Sequence, residues 1–373
     1  MSVYIYQNTH WPNFTWEESR LIKLLGEVRY VQGRIAGRME ALGFSVRSEA
    51  MLQTLTQDVL KSSEIEGELL NLEQVRSSIA RRLGIDVAGL IPSDRNVEGV
   101  VEMMLDATQH YHEVLTRERL FDWQASLFPT GRSGMQQIVT GAWRDGEKGP
   151  MQVVSGPMGR ERVHFQAPDA EKVEKEMERF LNWFNEEMDI DPVLKAGVAH
   201  LWFVTIHPFA DGNGRIARAI ADMQLARADM SGQRYYSMSA QIRKERAGYY
   251  DYLEQTQKGG LNITAWLEWF LSCLRSALEV ADNKLEAVLQ KARFWDKHVS
   301  TSFNERQRLL INKLLDGFEG KLTSSKWAKI AKCSQDTAGR DIQDLIVKGI
   351  LAKEGAGGRS TSYVLVGNQQ REN

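Results

Sequence analysis

His207-Pro208-Phe209-Ala210-Asp211-Gly212-Asn213-Gly214-Arg215-Ile216-Ala217-Arg218 sets an imidazole, a carboxylate, a glycine-rich turn and two guanidiniums close together in the chain. Ile216, Ile220 and Met223 recur at helical spacing and predict a helix that begins just after Gly214. Gly212-Asn213-Gly214 then reads as a turn free to adopt positive φ. N–H groups at a helix start have no intrahelical acceptors and attract anions. Arg215 and Arg218 share one face of the first turn, where both can hold phosphate oxygens. Asp211 offers a hard oxygen ligand of the kind that shares Mg²⁺ with phosphates. His207, whose ordinary pKa is near neutrality, can take a proton from an incoming hydroxyl. These are the parts that phosphoryl or nucleotidyl transfer needs.

Each part has a plainer reading by itself, since Asn-Gly is common in hairpin turns and a His beside Pro is commonly structural. Their conjunction decides the matter: eight specified positions in such a window arise by chance in on the order of one chain in 10⁸. The stretch resembles the signature of the Fic family, H-x-F-x-D/E-G-N-G-R-x-x-R, and matches every specified position. Most members of that family transfer AMP from ATP to a protein hydroxyl. The resemblance implies that His207 is the general base, that Phe209 anchors the loop and that Asp211 binds Mg²⁺. Gly212, Asn213 and Gly214 would cradle the α and β phosphates, with Arg215 on the β and Arg218 on the γ phosphate. A related branch carries Lys at the second glycine of the turn and moves phosphate; Gly214 points to AMP transfer.

A second stretch, Ser62-Ser63-Glu64-Ile65-Glu66-Gly67, lies in a helix predicted to start near Ser48. Leu52, Leu55, Val59, Ser62 and Glu66 recur at steps of three and four, which places Glu66 on the apolar stripe. An acid there needs a cationic partner or suffers a raised pKa. The stretch also resembles the S/T-x-x-x-E-G/N pattern of autoinhibited Fic proteins, here Ser62, Glu66 and Gly67. The implied pairing is Glu66 with Arg218, blocking the γ phosphate. That pattern alone turns up by accident in about one chain in three of this length; its position ahead of a Fic core gives it weight.

Working outward, the chain has 373 residues, is 42% hydrophobic and 26% charged, and has a net charge of −2. That charge implies no bulk attraction to nucleic acid or membrane. Its two cysteines, Cys273 and Cys333, lie far apart without metal-site spacing, which fits a reducing compartment. No apolar run approaches the roughly 18 residues of a membrane span, so a cytoplasmic protein is expected.

The expected organisation is mainly α-helical: a helical N-terminal region over 1–95 with the inhibitory helix, a Fic catalytic domain over 96–290, and a winged helix-turn-helix over 300–373. Thr15-Trp16-Glu17-Glu18 has the form of a capping box, followed by a helix to about Leu42 with Ile22, Leu25, Val28, Ile35 and Met39 on one side. Gly141-Ala142-Trp143-Arg144 matches a short G-x-x-R that precedes the flap in the family. Gln152 to Gln166, with a turn at Gly156 to Gly159, is the only convincing hairpin before the C-terminus. In the family this flap positions the target protein by strand addition. Tyr250, on a helix with Ser239, Ile242, Arg246 and Leu253, is placed near the adenine or ribose by the same resemblance.

Three helices and two strands joined by Gly355 to Gly358 close the chain, with Lys332, Arg340, Lys348, Lys353 and Arg359 available for phosphates. Asp336, Asp341 and Asp344 lie on the third helix and would repel them, so either DNA or a protein is open as its partner. A homodimer is compatible with the family, and no surface in the sequence marks it. Rival readings are a DNA-binding regulator that senses nucleotide, a transferase of phosphate or of another nucleotide, and an enzyme that removes AMP.

Overall fold

The run Val193–Ile206 has only Lys195, His200 and Thr205 as polar members, and every residue in it is buried. A helix apolar all round belongs at the centre of a core, and the rest of residues 1–281 is layered about it. The computed structural model describes the chain apart from residues 1–3, 41, 87–88, 148, 157–159, 188, 316–317, 319, 355–360 and 367–373. It is mainly helical and divides into two compact units, residues 1–281 and 282–373.

A short 3₁₀ turn at Ile5–Gln7 precedes α1, Glu18–Glu40. The capping box does not form, because Thr15 instead pairs with Asn262 and donates its amide to the Leu261 carbonyl. The buried side of α1 is Leu21, Val28, Val31, Ile35 and Met39, while Ile22 is 69% exposed, so the inward phase starts one residue earlier than the periodicity suggested. α2 is Phe44–Ile65, α3 is Leu72–Leu83 with Asn71 as its cap, and α4 is Arg95–Gln109. α5, Arg117–Leu127, starts on a Thr116 cap.

Next come β1, Arg132–Ser133, and β2, Gln136–Gln137, a small hairpin in addition to the one expected. β3, Gln152–Ser155, pairs antiparallel with β4, Arg162–Gln166, with a bulge between Val153 and Val154. The expected turn of this hairpin falls at 157–159, outside the described residues. α6 is Ala170–Asn185, and α7 is Pro192–Ile206, the central helix, opened by Asp191 accepting from the Val193 amide at 2.7 Å. α8, Asn213–Asp229, packs along α7. α9, Met238–Lys244, and α10, Arg246–Gln257, break at Glu245, and α11 runs from Thr264 to Lys297.

In the second unit α12, Glu305–Leu315, α13, Ser324–Ala331, and α14, Gln335–Val347, surround a core of Leu310, Ile311, Trp327, Ile342 and Leu345. β5, Leu351–Lys353, pairs antiparallel with β6, Tyr363–Leu365, which also bridges to Leu322. The turn from Gly355 to Gly358, and Arg359 with it, lies outside the described residues.

Candidate functional site

The site sits where α7 hands over to α8. His207 is the C-cap of α7 in the left-handed region at φ +53, uncommon for a side chain with Cβ. Its Nδ1 is 3.2 Å from the Val204 carbonyl. A carbonyl only accepts, so Nδ1 carries the proton and Nε2 is left as a free acceptor. Burial pushes the imidazole pKa down to about 4, well below the near-neutral value assumed from sequence. His207 is therefore neutral at physiological pH, the form a base requires.

Three groups hold the loop that follows. Phe209 is fully buried against Trp143, with ring centroids 5.0 Å apart. Arg144 donates from Nε to the His207 carbonyl at 2.8 Å and from its amide to the Pro208 carbonyl at 2.9 Å; its Nη2 also bonds the Pro168 carbonyl. Asn213 closes the turn on itself: its Oδ1 accepts from the Phe209 amide and its Nδ2 donates to the Phe209 carbonyl, both at 2.9 Å. The Asn213 side chain is thus committed to the loop.

Helix α8 begins at Asn213, earlier than Ile216 suggested, and only Gly212 uses positive φ, +89. Gly214 is already helical. What it supplies is closeness, since a Cβ there would meet Glu66 Oε1 at 2.2 Å. Asp211 accepts from the Gly212 amide at 2.6 Å and from the Ser133 hydroxyl, so the unanticipated β1–β2 hairpin orients that carboxylate.

Both guanidiniums of the first turn are buried and face the end of α2. Arg218 donates from Nε to Ser62 Oγ at 2.9 Å, and from Nη2 to the Ser62 carbonyl at 2.8 Å and to Glu66 Oε1 at 2.7 Å. Glu66 is not on the buried stripe: α2 ends at Ile65, Glu66 is its C-cap, and its side chain is 32% exposed. Arg215 pairs with Glu68 at 2.5 Å, a partner the sequence reading missed. Among the described residues, Arg215 Nε and Arg218 Nη1 are buried donors without a hydrogen-bond partner. Buried donors left over in this way fit an anionic ligand.

Glu66, His207 and Gly214 line one cavity of about 700 Å³ together with Tyr250, Phe165 and His164. That volume is in the range of small-ligand sites. Tyr249 is buried and bonded to His200 at 2.9 Å, whereas Tyr250 is 37% exposed and carries Arg246 over its ring. The flap closes one wall through a polar chain: Ser155 Oγ to His164 Nε2 at 2.6 Å, and His164 Nδ1 to Glu254 Oε2 at 2.6 Å. Neither Ser155 nor Glu254 was marked in the sequence; the bulge and the α9–α10 break that bring them together leave no motif.

An imidazole, a carboxylate and two buried arginines flank one glycine-containing helix start, and His207 and Gly214 open onto the cavity. Residues 114–225 match the model of the Fic/DOC family, so the chain carries a Fic domain there. Residues 4–85 match the model of a domain of unknown function, DUF4172. The chain is 27% identical over 231 residues to the protein adenylyltransferase Fic of Culex quinquefasciatus, covering 60% of this chain and 41% of that one. To the protein of that name in Drosophila virilis it is 24% identical over 277 residues, 71% of this chain and 49% of that one. It thus spans less than half the length of these relatives.

Among solved structures, a Fic family protein from Desulfovibrio desulfuricans G20 superposes with a TM-score of 0.56 at 22% identity, covering 97% of this chain and 100% of that one. A Fic domain containing signaling protein from Bacteroides thetaiotaomicron gives a TM-score of 0.50 at 20% identity, covering 72% and 97%. At these identities the likeness is one of fold. Among the described residues no helix is long and apolar enough to cross a membrane.

Proposed function

We propose that the protein is a protein adenylyltransferase that moves AMP from ATP to a Ser, Thr or Tyr hydroxyl of a target protein, and that Glu66 holds it inactive. The observation that carries this reading is the meeting of the His207 acceptor nitrogen with the α8 start at one cavity, with two incompletely satisfied buried guanidiniums on the first turn of that helix. The names of the Culex and Drosophila relatives support it.

The hydroxyl oxygen forms a bond to the α phosphorus as the bond from that phosphorus to the bridging oxygen breaks, and pyrophosphate leaves. His207 Nε2 takes the hydroxyl proton. Arg215 and Arg218 orient the β and γ phosphates so that the α phosphorus faces the incoming oxygen, which makes positioning and fixed charge the main sources of rate. Mg²⁺ would sit on Asp211. Among the described residues no group of three acidic, His or Cys side chains could hold a metal unaided, so phosphates and water would complete its shell. Bound there, the ion neutralises phosphate charge. The target segment adds as a strand to the β3–β4 flap.

Protein labelling from ATP carrying label at the α or the γ phosphate tests the reading, with wild type, Glu66→Gly, and Glu66→Gly with His207→Ala. Label from the α position alone, strong in Glu66→Gly, weak in wild type and absent in the double variant, is the expected result. Label from the γ position makes the protein a phosphotransferase.

A second reading concerns residues 282–373, where we propose double-stranded DNA as a partner of the three helices and hairpin. Its support is the fate of two of the three acids on α14, the third, Asp336, being exposed in the first turn. Asp341 is buried in a pair with Arg306 at 2.8 Å, and Asp344 bonds Lys348 at 2.5 Å and Gln307 at 2.8 Å. The exposed positions of α14 include Gln335, Gly339, Arg340 and Gln343, side chains suited to base edges and close backbone approach. Salt-dependent binding of a duplex, weakened in Arg340→Ala, is the expected outcome.

A further inference from the structure

The end of α2 places an acid on each of the two motif arginines, and the backbone explains how. The Gly67 amide donates to the Glu64 carbonyl at 3.1 Å, the Glu68 amide reaches back to the Ser63 carbonyl at 3.0 Å, and Gly67 lies at φ +87. This is a Schellman closure, in which a left-handed residue turns the chain sharply after the helix. The turn leaves Glu66 and Glu68 on the same side, both reaching the first turn of α8. Glu66 takes Arg218 and Glu68 takes Arg215.

The two pairs are alike in their asymmetry. The arginines are 2% and 3% exposed, and their acids are 32% and 48% exposed. A buried guanidinium left bare is costly, so it holds a carboxylate until another anion replaces it. The acids, already partly in water, lose little by leaving. A phosphate competing for Arg215 must displace Glu68, since a phosphate and a carboxylate held against the same donor repel each other.

Resting on the assignment of Arg215 to the β and Arg218 to the γ phosphate, we propose that Glu68 is a second selector acting independently of Glu66. Glu68 guards the β-phosphate position and Glu66 the γ-phosphate position, so the site as folded accepts a nucleoside monophosphate ahead of a diphosphate or triphosphate. Release of Glu66 alone then opens only half of the anion site, and full engagement of ATP needs both acids to swing out about Gly67.

Calorimetric titration of the full chain with AMP, ADP and ATP in Mg²⁺ tests this in wild type, Glu68→Gln, Glu66→Gln and the double variant. Glu68→Gln leaves AMP affinity unchanged and tightens ADP by about tenfold, the scale of one charge-assisted hydrogen bond. Glu66→Gln tightens ATP relative to ADP, and the double variant binds ATP most tightly. Glutamine keeps the size of the side chain, and Glu68→Ala, at a half-exposed position, is the check that the effect follows the charge. If AMP binds and ADP affinity is the same with and without the Glu68 charge, the proposal is wrong while the nucleotide site stands. If no adenine nucleotide binds any variant, the proposal and the reading of the site fall together.

Discussion

Backbone and ring of His207 both sit where they cost stability. A left-handed φ on a residue with Cβ is persistent only when its surroundings over-determine it, and here Arg144, Phe209 and the Val204 carbonyl do so. The gain is a neutral imidazole with its free nitrogen fixed. Since burial lowers the pKa from 6.5 to about 4, the imidazole stays deprotonated well below neutrality. The pH profile of label transfer by Glu66→Gly is accordingly expected to stay flat through pH 6.5 and to fall only towards pH 4. An acid limb centred near 6.5 would mean that the proton acceptor is another group.

The sequence showed that a His stood here but not how far its pKa moves, because that depends on how deeply the fold buries the ring and on the Arg144 charge brought beside it. Asn213 makes the same point. The sequence places it in the glycine turn but does not show that its side-chain amide satisfies both backbone groups of Phe209. Asn213→Ala leaves a buried donor and acceptor unpaired, at about 1–3 kcal/mol each before relaxation. A drop in unfolding free energy of roughly 2–4 kcal/mol in urea is expected, against almost none if the side chain served only the nucleotide.

Among the elements, helices with a sustained apolar period were legible: α1 runs to Glu40, where its period was read to about Leu42. Short strands were not, as β1 and β2 are two residues each and carry no alternation to detect. The capping box ahead of α1 failed because a distant segment, Leu261 and Asn262, takes up the Thr15 backbone. The flap lies between these cases: its strands were visible, but not what latches it. Ser155, Arg162 and His164 face Glu254 of α10, whose carboxyl is raised by partial burial but held at about 2 by hydrogen bonds from Lys258, His164 and Arg162. Glu254→Gln breaks the ionic part of this clasp. Faster hydrogen exchange at the β3 and β4 amides, with unchanged exchange in α7, is the expected signature; equal exchange in both proteins would leave the flap held by Phe165 and the aromatic rings of Tyr4 and Tyr6 beneath it.

At the scale of the molecule, residues 4–85 are built into the first unit. Trp11 donates to Glu176, Arg29 pairs with Asp191, and Asp58 accepts from the Ser237 hydroxyl and the Ser239 amide. Asp58 lies on α2 two turns before Glu66, and burial together with the nearby Asp222 charge raises its pKa to about 7. His200 and His207 are shifted the other way, to about 3 and about 4. For the histidines the unfolded chain binds more protons below pH 6.5, so stability falls as pH drops through that window. For Asp58 the folded chain keeps a proton that the unfolded chain releases above pH 3.8, so stability falls as pH rises from there to about 7. The two slopes oppose each other over most of the acid range, and the wild-type curve is flatter there than either contribution alone. Asp58→Asn removes one of them, since the amide keeps an acceptor oxygen for Ser237 and Ser239 and cannot ionise. The stability difference between Asp58→Asn and wild type, measured by urea unfolding, is expected to grow in favour of the variant by roughly 2–4 kcal/mol between pH 4 and pH 8. A difference that does not change with pH would show that Asp58 is ionised throughout, with Arg234 as its counter-charge. In that case the polar layer behind α8 would be a set of fixed charges, and α2, with the two acids that follow its last turn, would be held to the core equally at every pH.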